Sequence, residues 1–123
     1  MLANFHTHTT FCDGKNTPEK IVIAAIERGF SAIGFSGHGY TPFDLRYCMK
    51  DTAGYVVEIE ELKRKYKSKI QIYIGVEEDA FAPVDRSKLD FTVIFFLKSF
   101  NLGNVSFGIL HAIAKVKWGV SVP

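Results

Sequence analysis

Cysteine and histidine are scarce in this chain. Of 123 residues, two are cysteine and four are histidine. Cys12 and Cys48 lie far apart and neither belongs to a Cys-x-x-Cys pair. That excludes a disulfide framework and points to a reduced, cytoplasmic setting. The net charge is only +2, too small for a strong nucleic-acid or membrane field, so neither partner is expected. Repeats and low-complexity tracts are absent. The N-terminal residues offer no basic region followed by a long apolar core, so no signal peptide is expected. The apolar run after Phe91 is broken by Lys98, Asn101, Asn104 and several Gly, which argues against a membrane span.

Another absence is local. All 13 acidic residues lie at or before Asp90. The remainder carries three Lys, the single Trp and no acid. The readable periodicity ends at the same place. Two segments are expected from this break: 1–94 as a patterned, partial domain, and 95–123 as an atypical, irregular tail.

Within 1–94 the pattern alternates. Residues 2–6 read as a short buried strand. Thr17-Pro18-Glu19 is a helix start, with Thr as the cap, Pro in the first turn and an early acid. Ile21, Val22, Ala25 and Ile26 follow at helical spacing, and Gly29 is a natural stop. Residues 32–36 form a second buried strand, and 37–50 a long loop. Asp51 can cap a second helix whose apolar stripe is Tyr55, Val56, Ile59, Leu62 and Tyr66. Residues 70–75 and 91–94 read as the third and fourth strands. This order is that of an α/β fold with about four parallel strands.

The scarce histidines fall in telling places. His6 and His8 end the first strand, where residues i and i+2 share a side. Asp13 follows on the adjoining loop. His38 follows the second strand and Glu77 the third. Taken singly, each has an ordinary structural reading. Taken together, they share one rim, because a parallel sheet gathers the C-terminal ends of its strands. Imidazoles and carboxylates in such a cluster suit a divalent metal ion. Arg46, on the second long loop, either contacts a phosphate or makes a surface ion pair. Tyr40 and Tyr47 are weaker candidates, and Cys12 reads as structural.

The segments Phe5-His6-Thr7-His8-Thr9-Thr10-Phe11-Cys12-Asp13-Gly14, Gly34-Phe35-Ser36-Gly37-His38 and Gly75-Val76-Glu77 resemble the PHP (polymerase and histidinol phosphatase) superfamily. Tyr40 to Met49 narrows the similarity to the PHP-type histidinol-phosphatases. The resemblance implies the N-terminal part of a distorted (β/α)7 TIM-like barrel. It implies up to three divalent metals (Zn, Mn or Fe). His6, His8, Asp13, His38 and Glu77 match the family's ligands, with Glu77 in the bridging place and Asp13 and His38 in catalytic roles. The implied substrate is a small phosphate monoester, histidinol phosphate, hydrolysed in histidine biosynthesis. Another PHP phosphoesterase, or a non-catalytic metal-binding remnant, are the alternatives. Family members are more than twice as long and carry a Gly-Ser-x-His after the fourth strand, where this chain reads Phe95-Phe96-Leu97-Lys98. His111 matches no family motif. An out-of-frame or truncated segment after Ile94 would produce this departure.

Overall fold

The computed structural model describes residues 1–95, 98–102, 105–109 and 112–115. Two helices and seven strands follow in the order β1 (Ala3–Asn4), α1 (Pro18–Glu27), β2 (Ala32–Phe35), α2 (Thr52–Lys65), β3 (Gln71–Asp79), β4 (Phe91–Phe95), β5 (Lys98–Leu102), β6 (Val105–Ile109) and β7 (Ala112–Lys115). Strands β1 to β4 are parallel neighbours in that order, and β7 joins β4 antiparallel. β5 and β6 form a separate antiparallel pair. The described parts of the segment after Ile94, expected to be irregular, are thus strands. β6 alternates in sequence, Val105-Ser106-Phe107-Gly108-Ile109, a strand signal that the expectation of an irregular segment passes over. His111 and residues 116–123 lie outside the described residues.

Local chemistry sets the helix ends. Thr17 caps α1 by accepting the Lys20 N–H, and Pro18 occupies the first turn. The chain leaves the helix through Gly29 at φ 76°, a conformation that only glycine adopts freely. Asp51 caps α2 through the Gly54 N–H. Val22 and Ala25 of α1 and Tyr55, Ile59 and Leu62 of α2 face the sheet. They pack on Ile33, Phe35, Ile72, Ile74 and Val76, which share one face by strand alternation. Ile59 and Val76 are fully buried. Each side chain of that size contributes about 1.5–3 kcal/mol. The Tyr55 hydroxyl adds a 2.6 Å hydrogen bond to the Gly75 carbonyl, so α2 is tied directly to β3.

The opposite face carries Phe5, Tyr73 and Phe91, with Phe5 centred 5.4 Å from Tyr73 and 5.9 Å from Phe91. Glu77 stands on this face, two pleats beyond Tyr73.

Two strands differ from expectation. β1 is only two residues long and exposed rather than buried. Among the described strands it is the edge of the sheet, paired only with β2. β3 runs four residues past Gly75, through the three consecutive acids Glu77, Glu78 and Asp79. Among the described residues no helix is long and apolar enough to cross a membrane.

Candidate metal centre

The first strand end is fixed by its neighbour. The Thr7 N–H donates to Ser36 Oγ at 3.1 Å, and the Ser36 N–H donates to the Thr7 carbonyl at 2.9 Å. Thr7 is thereby locked to the end of β2, and the flanking His6 and His8 project together, their rings stacked 5.1 Å apart. The next turn is wound around the Thr9 carbonyl, which accepts from the Cys12 N–H at 3.0 Å and the Gly14 N–H at 2.9 Å. A Cβ on Gly14 would stand 2.5 Å from the His8 carbonyl carbon. Glycine there lets the turn close tightly enough to return Asp13 to His8.

Glu77 and His38 are positioned by backbone. They form an isolated parallel bridge beyond the β2–β3 ladder. The Glu77 N–H donates to the Gly37 carbonyl at 2.9 Å, and the Gly39 N–H donates to the Glu77 carbonyl at 2.8 Å.

All five sequence-predicted metal ligands come together. Asp13 Oδ1 lies 2.8 Å from His8 Nδ1, and Asp13 Oδ2 lies 3.3 Å from His38 Nε2. Glu77 Oε2 lies 3.2 Å from His8 Nε2, 3.5 Å from His38 Nδ1 and 3.9 Å from His6 Nε2. Two three-residue groups result, His6–His8–Glu77 and His8–Asp13–His38, each with ligand atoms within 4.8 Å of one another. His8 Nε2 is shut from solvent and makes no hydrogen bond of acceptable geometry, although Glu77 Oε2 is near. These two atoms converge on a point instead of bonding each other. Mixed imidazole and carboxylate donors of this kind fit a divalent first-row ion. Three protein ligands per group would leave coordination positions open, as a catalytic site requires.

The electrostatics separate the two inner histidines. The neighbouring Cys12 side chain, then Glu77 and Asp13, hold His8 up at about 10 against the opposing effect of burial. Burial drives His38 below its ordinary value, outweighing the attraction of Glu77. Burial also opposes ionisation of Glu77 and Asp13, but the histidines around them hold both carboxyls below their ordinary values.

Arg46 stands apart from this cluster. It forms a two-pronged pair with Asp44, at 2.9 and 2.5 Å, and its side chain is 88% exposed. Tyr40 is also exposed. Tyr47 packs its ring against His38, centres 4.6 Å apart. Cys12, read from sequence as structural, is closer to the chemistry than that. Its thiol donates to Asp13 Oδ1 at 3.4 Å, and although burial alone would raise it, His8 holds it below the usual thiol value.

Sequence reasoning missed the two acids after Glu77. Glu78 is 1% exposed and paired with Arg86 and the Val84 N–H. Asp79 is 4% exposed and accepts from Thr41 and Phe81. The available signal was an acidic run joined without a turn residue to a buried strand.

Comparison with known proteins agrees with this architecture. The family model for the PHP domain matches residues 4–112, past the composition break. A histidinol-phosphatase of Bacillus subtilis (strain 168) is 34% identical over an 88-residue alignment covering 63% of this chain and 33% of that protein. A solved structure from Listeria monocytogenes, provisionally named a histidinol phosphatase, aligns with a TM-score of 0.62. Its identity is 23%, over 77% of this chain and 46% of the other. The chain therefore spans a third to a half of the length of these relatives. Its four parallel strands and helices are a partial TIM-like barrel. With the sequence match and the rim cluster in agreement, this chain belongs to the PHP domain family.

Proposed function

We propose that the chain carries the N-terminal part of a metal-dependent histidinol-phosphatase, which hydrolyses histidinol phosphate to histidinol and phosphate in histidine biosynthesis. The observation that carries the reading is the convergence of His6, His8, Asp13, His38 and Glu77 at the C-terminal rim of the parallel strands. The similarity to the Bacillus subtilis histidinol-phosphatase supports the substrate.

Divalent ions (Zn, Mn or Fe) held by these five residues would supply Lewis-acid charge to the phosphate oxygens and lower the pKa of water. Glu77 lies within reach of three imidazoles, and His8 belongs to both ligand groups. Asp13 orients His8 through Nδ1, leaving Nε2 toward Glu77. Asp13 and His38 handle the proton. With no ion on its ring, His38, 3.3 Å from Asp13, would take the proton from the attacking water and return it to the leaving alkoxide, whereas an ion held on Nε2 would leave that part to Asp13. No Ser or Cys nucleophile is required. Arg46 is a weaker phosphate contact, since it must first leave Asp44.

A second reading is a metal-binding remnant without turnover, since the matched stretches cover only 33% and 46% of the two relatives. Hydrolysis of histidinol phosphate by the purified chain with added Mn2+ or Zn2+ separates the two. Turnover abolished in His8→Ala and Glu77→Ala supports the phosphatase. Bound metal with no turnover supports the remnant. The origin of residues 95–123 is a separate proposal. Family motifs in another frame of the encoding DNA downstream of Ile94 would support an out-of-frame segment.

A further inference from the structure

The long loop after β2 closes on its own start. The Met49 N–H donates to the His38 carbonyl at 2.9 Å, and the Cys48 thiol donates to the Thr41 carbonyl at 3.5 Å. Cys48 and Met49 are buried, so the residue before them is held from a fixed base. That residue is Tyr47, whose ring packs against the His38 imidazole, centres 4.6 Å apart and planes at 61°. Its ring therefore lies on a residue of the candidate metal centre. Its hydroxyl oxygen is shut from solvent and has no hydrogen-bond partner among the described residues.

The acids within electrostatic reach of that hydroxyl are Asp44, Asp79 and Glu77, and each is already engaged. Asp44 pairs with Arg46, Asp79 accepts from the Thr41 hydroxyl and the Phe81 N–H, and Glu77 faces the imidazoles. Burial first, then these negative charges, push the phenol above its ordinary value, so it keeps its proton at neutral pH. A buried donor without an acceptor is costly, and a phenylalanine would fill the same space without that cost. Packing accounts for the ring and leaves the hydroxyl without a task in the fold.

We propose that Tyr47 contacts the substrate, its hydroxyl donating a hydrogen bond to an anionic oxygen of the phosphate held at the metal centre. The inference rests on the phosphoesterase reading above. The donor is desolvated before the ligand arrives and gains its acceptor when the ligand binds, which is the condition for a preorganised site. A bond from a neutral O–H to a charged oxygen is of the stronger kind.

The test uses the full chain, with inorganic phosphate as the probe, and compares the parent with Tyr47→Phe. Urea denaturation without metal reads what the hydroxyl does for the fold. Elemental analysis reads Mn2+ retention, and calorimetry of the Mn2+-loaded proteins reads phosphate affinity. Tyr47→Phe should be at least as stable as the parent and should retain Mn2+ equally. Its dissociation constant for phosphate should rise about ten- to a hundredfold, the scale of one hydrogen bond to a charged group. A smaller rise overturns the inference, because the hydroxyl then finds its acceptor elsewhere, in an ordered water for example. Loss of metal-free stability or of Mn2+ in Tyr47→Phe also overturns it, because the hydroxyl is then structural. Either result leaves the phosphoesterase reading standing. Failure of the Mn2+-loaded parent to bind phosphate overturns both.

Discussion

His38 and Glu77 are joined through their main chains, and their side chains meet at 3.5 Å on the same rim. The backbone bridge does not depend on the Glu77 carboxylate, so the carboxylate is available for another task. Glu77→Gln should therefore keep the backbone bridge and fold, losing about 1–3 kcal/mol of metal-free stability with the charge-assisted contacts to the histidines. The rise in melting temperature on adding Mn2+ should disappear. Thermal melts with and without the ion check this, and an undiminished rise in the variant contradicts it.

The turn around Thr9 gives a second expectation. Gly14→Ala places a methyl group 2.5 Å from His8 and Thr9 backbone atoms, which cannot swing aside as a side chain would. Overpacking of this kind costs about 1–3 kcal/mol. Because the same turn returns Asp13 to His8, metal affinity should fall with stability. Urea denaturation and a Mn2+ titration of the same variant measure the two losses.

Acid–base behaviour follows from His8. Its folded value, about 10, lies above the ordinary 6.5. A group raised by folding contributes stability that is fully present below its unfolded value and lost as pH rises through the folded one. The metal-free protein should therefore lose stability between about pH 6.5 and about pH 10, and His8→Ala should flatten that loss. Glu77 and Asp13, both lowered, act in the opposite sense on the acid side, and their contribution fades as pH falls through their folded values. Melting temperature against pH, in chelator, reads both limbs.

Tyr55 tests the link between helix and sheet. Tyr55→Phe keeps the ring but removes the 2.6 Å bond to the Gly75 carbonyl two residues before Glu77. A buried bond of this kind is worth about 1–2 kcal/mol. A loss of that size in urea denaturation is expected, and no loss would mean that the hydroxyl contributes nothing.

The fold was legible where one physical signal dominated. Thr17-Pro18 and Asp51 act as caps because their side chains or rings suit a helix start, whatever packs around them. The His-x-His pair pointed to one place because strand alternation is local. The limits of β1 and β3 were not legible, for opposite reasons. Leu2 and Phe5 look like core, but the strand they flank is the edge of the described sheet. An acidic run such as Glu77-Glu78-Asp79 is ordinarily solvated, yet each of the three is buried against a partner: the histidines, Arg86 eight residues on, and Thr41. Tertiary pairing of this kind leaves no periodicity. After Ile94 the signal was partial: Val105-Ser106-Phe107-Gly108-Ile109 alternates as a strand does, whereas Ala112-Ile113-Ala114 is a continuous apolar run that sets no face. Of the candidate site, the five residues that converge were readable from spacing and family resemblance. The Thr7–Ser36 lock, the Cys12 thiol and the Asp79 junction emerged only when the strands were side by side.

The central claim is that these five residues make a divalent-metal centre. Metal content of the purified chain, measured by elemental analysis after loading with Mn2+ or Zn2+ and exhaustive dialysis, tests it most directly. The expected result is at least one equivalent retained by the parent and none by a His8→Ala/Glu77→Gln variant that remains folded. Retention at background level in the parent, or equal retention in the variant, would contradict the account.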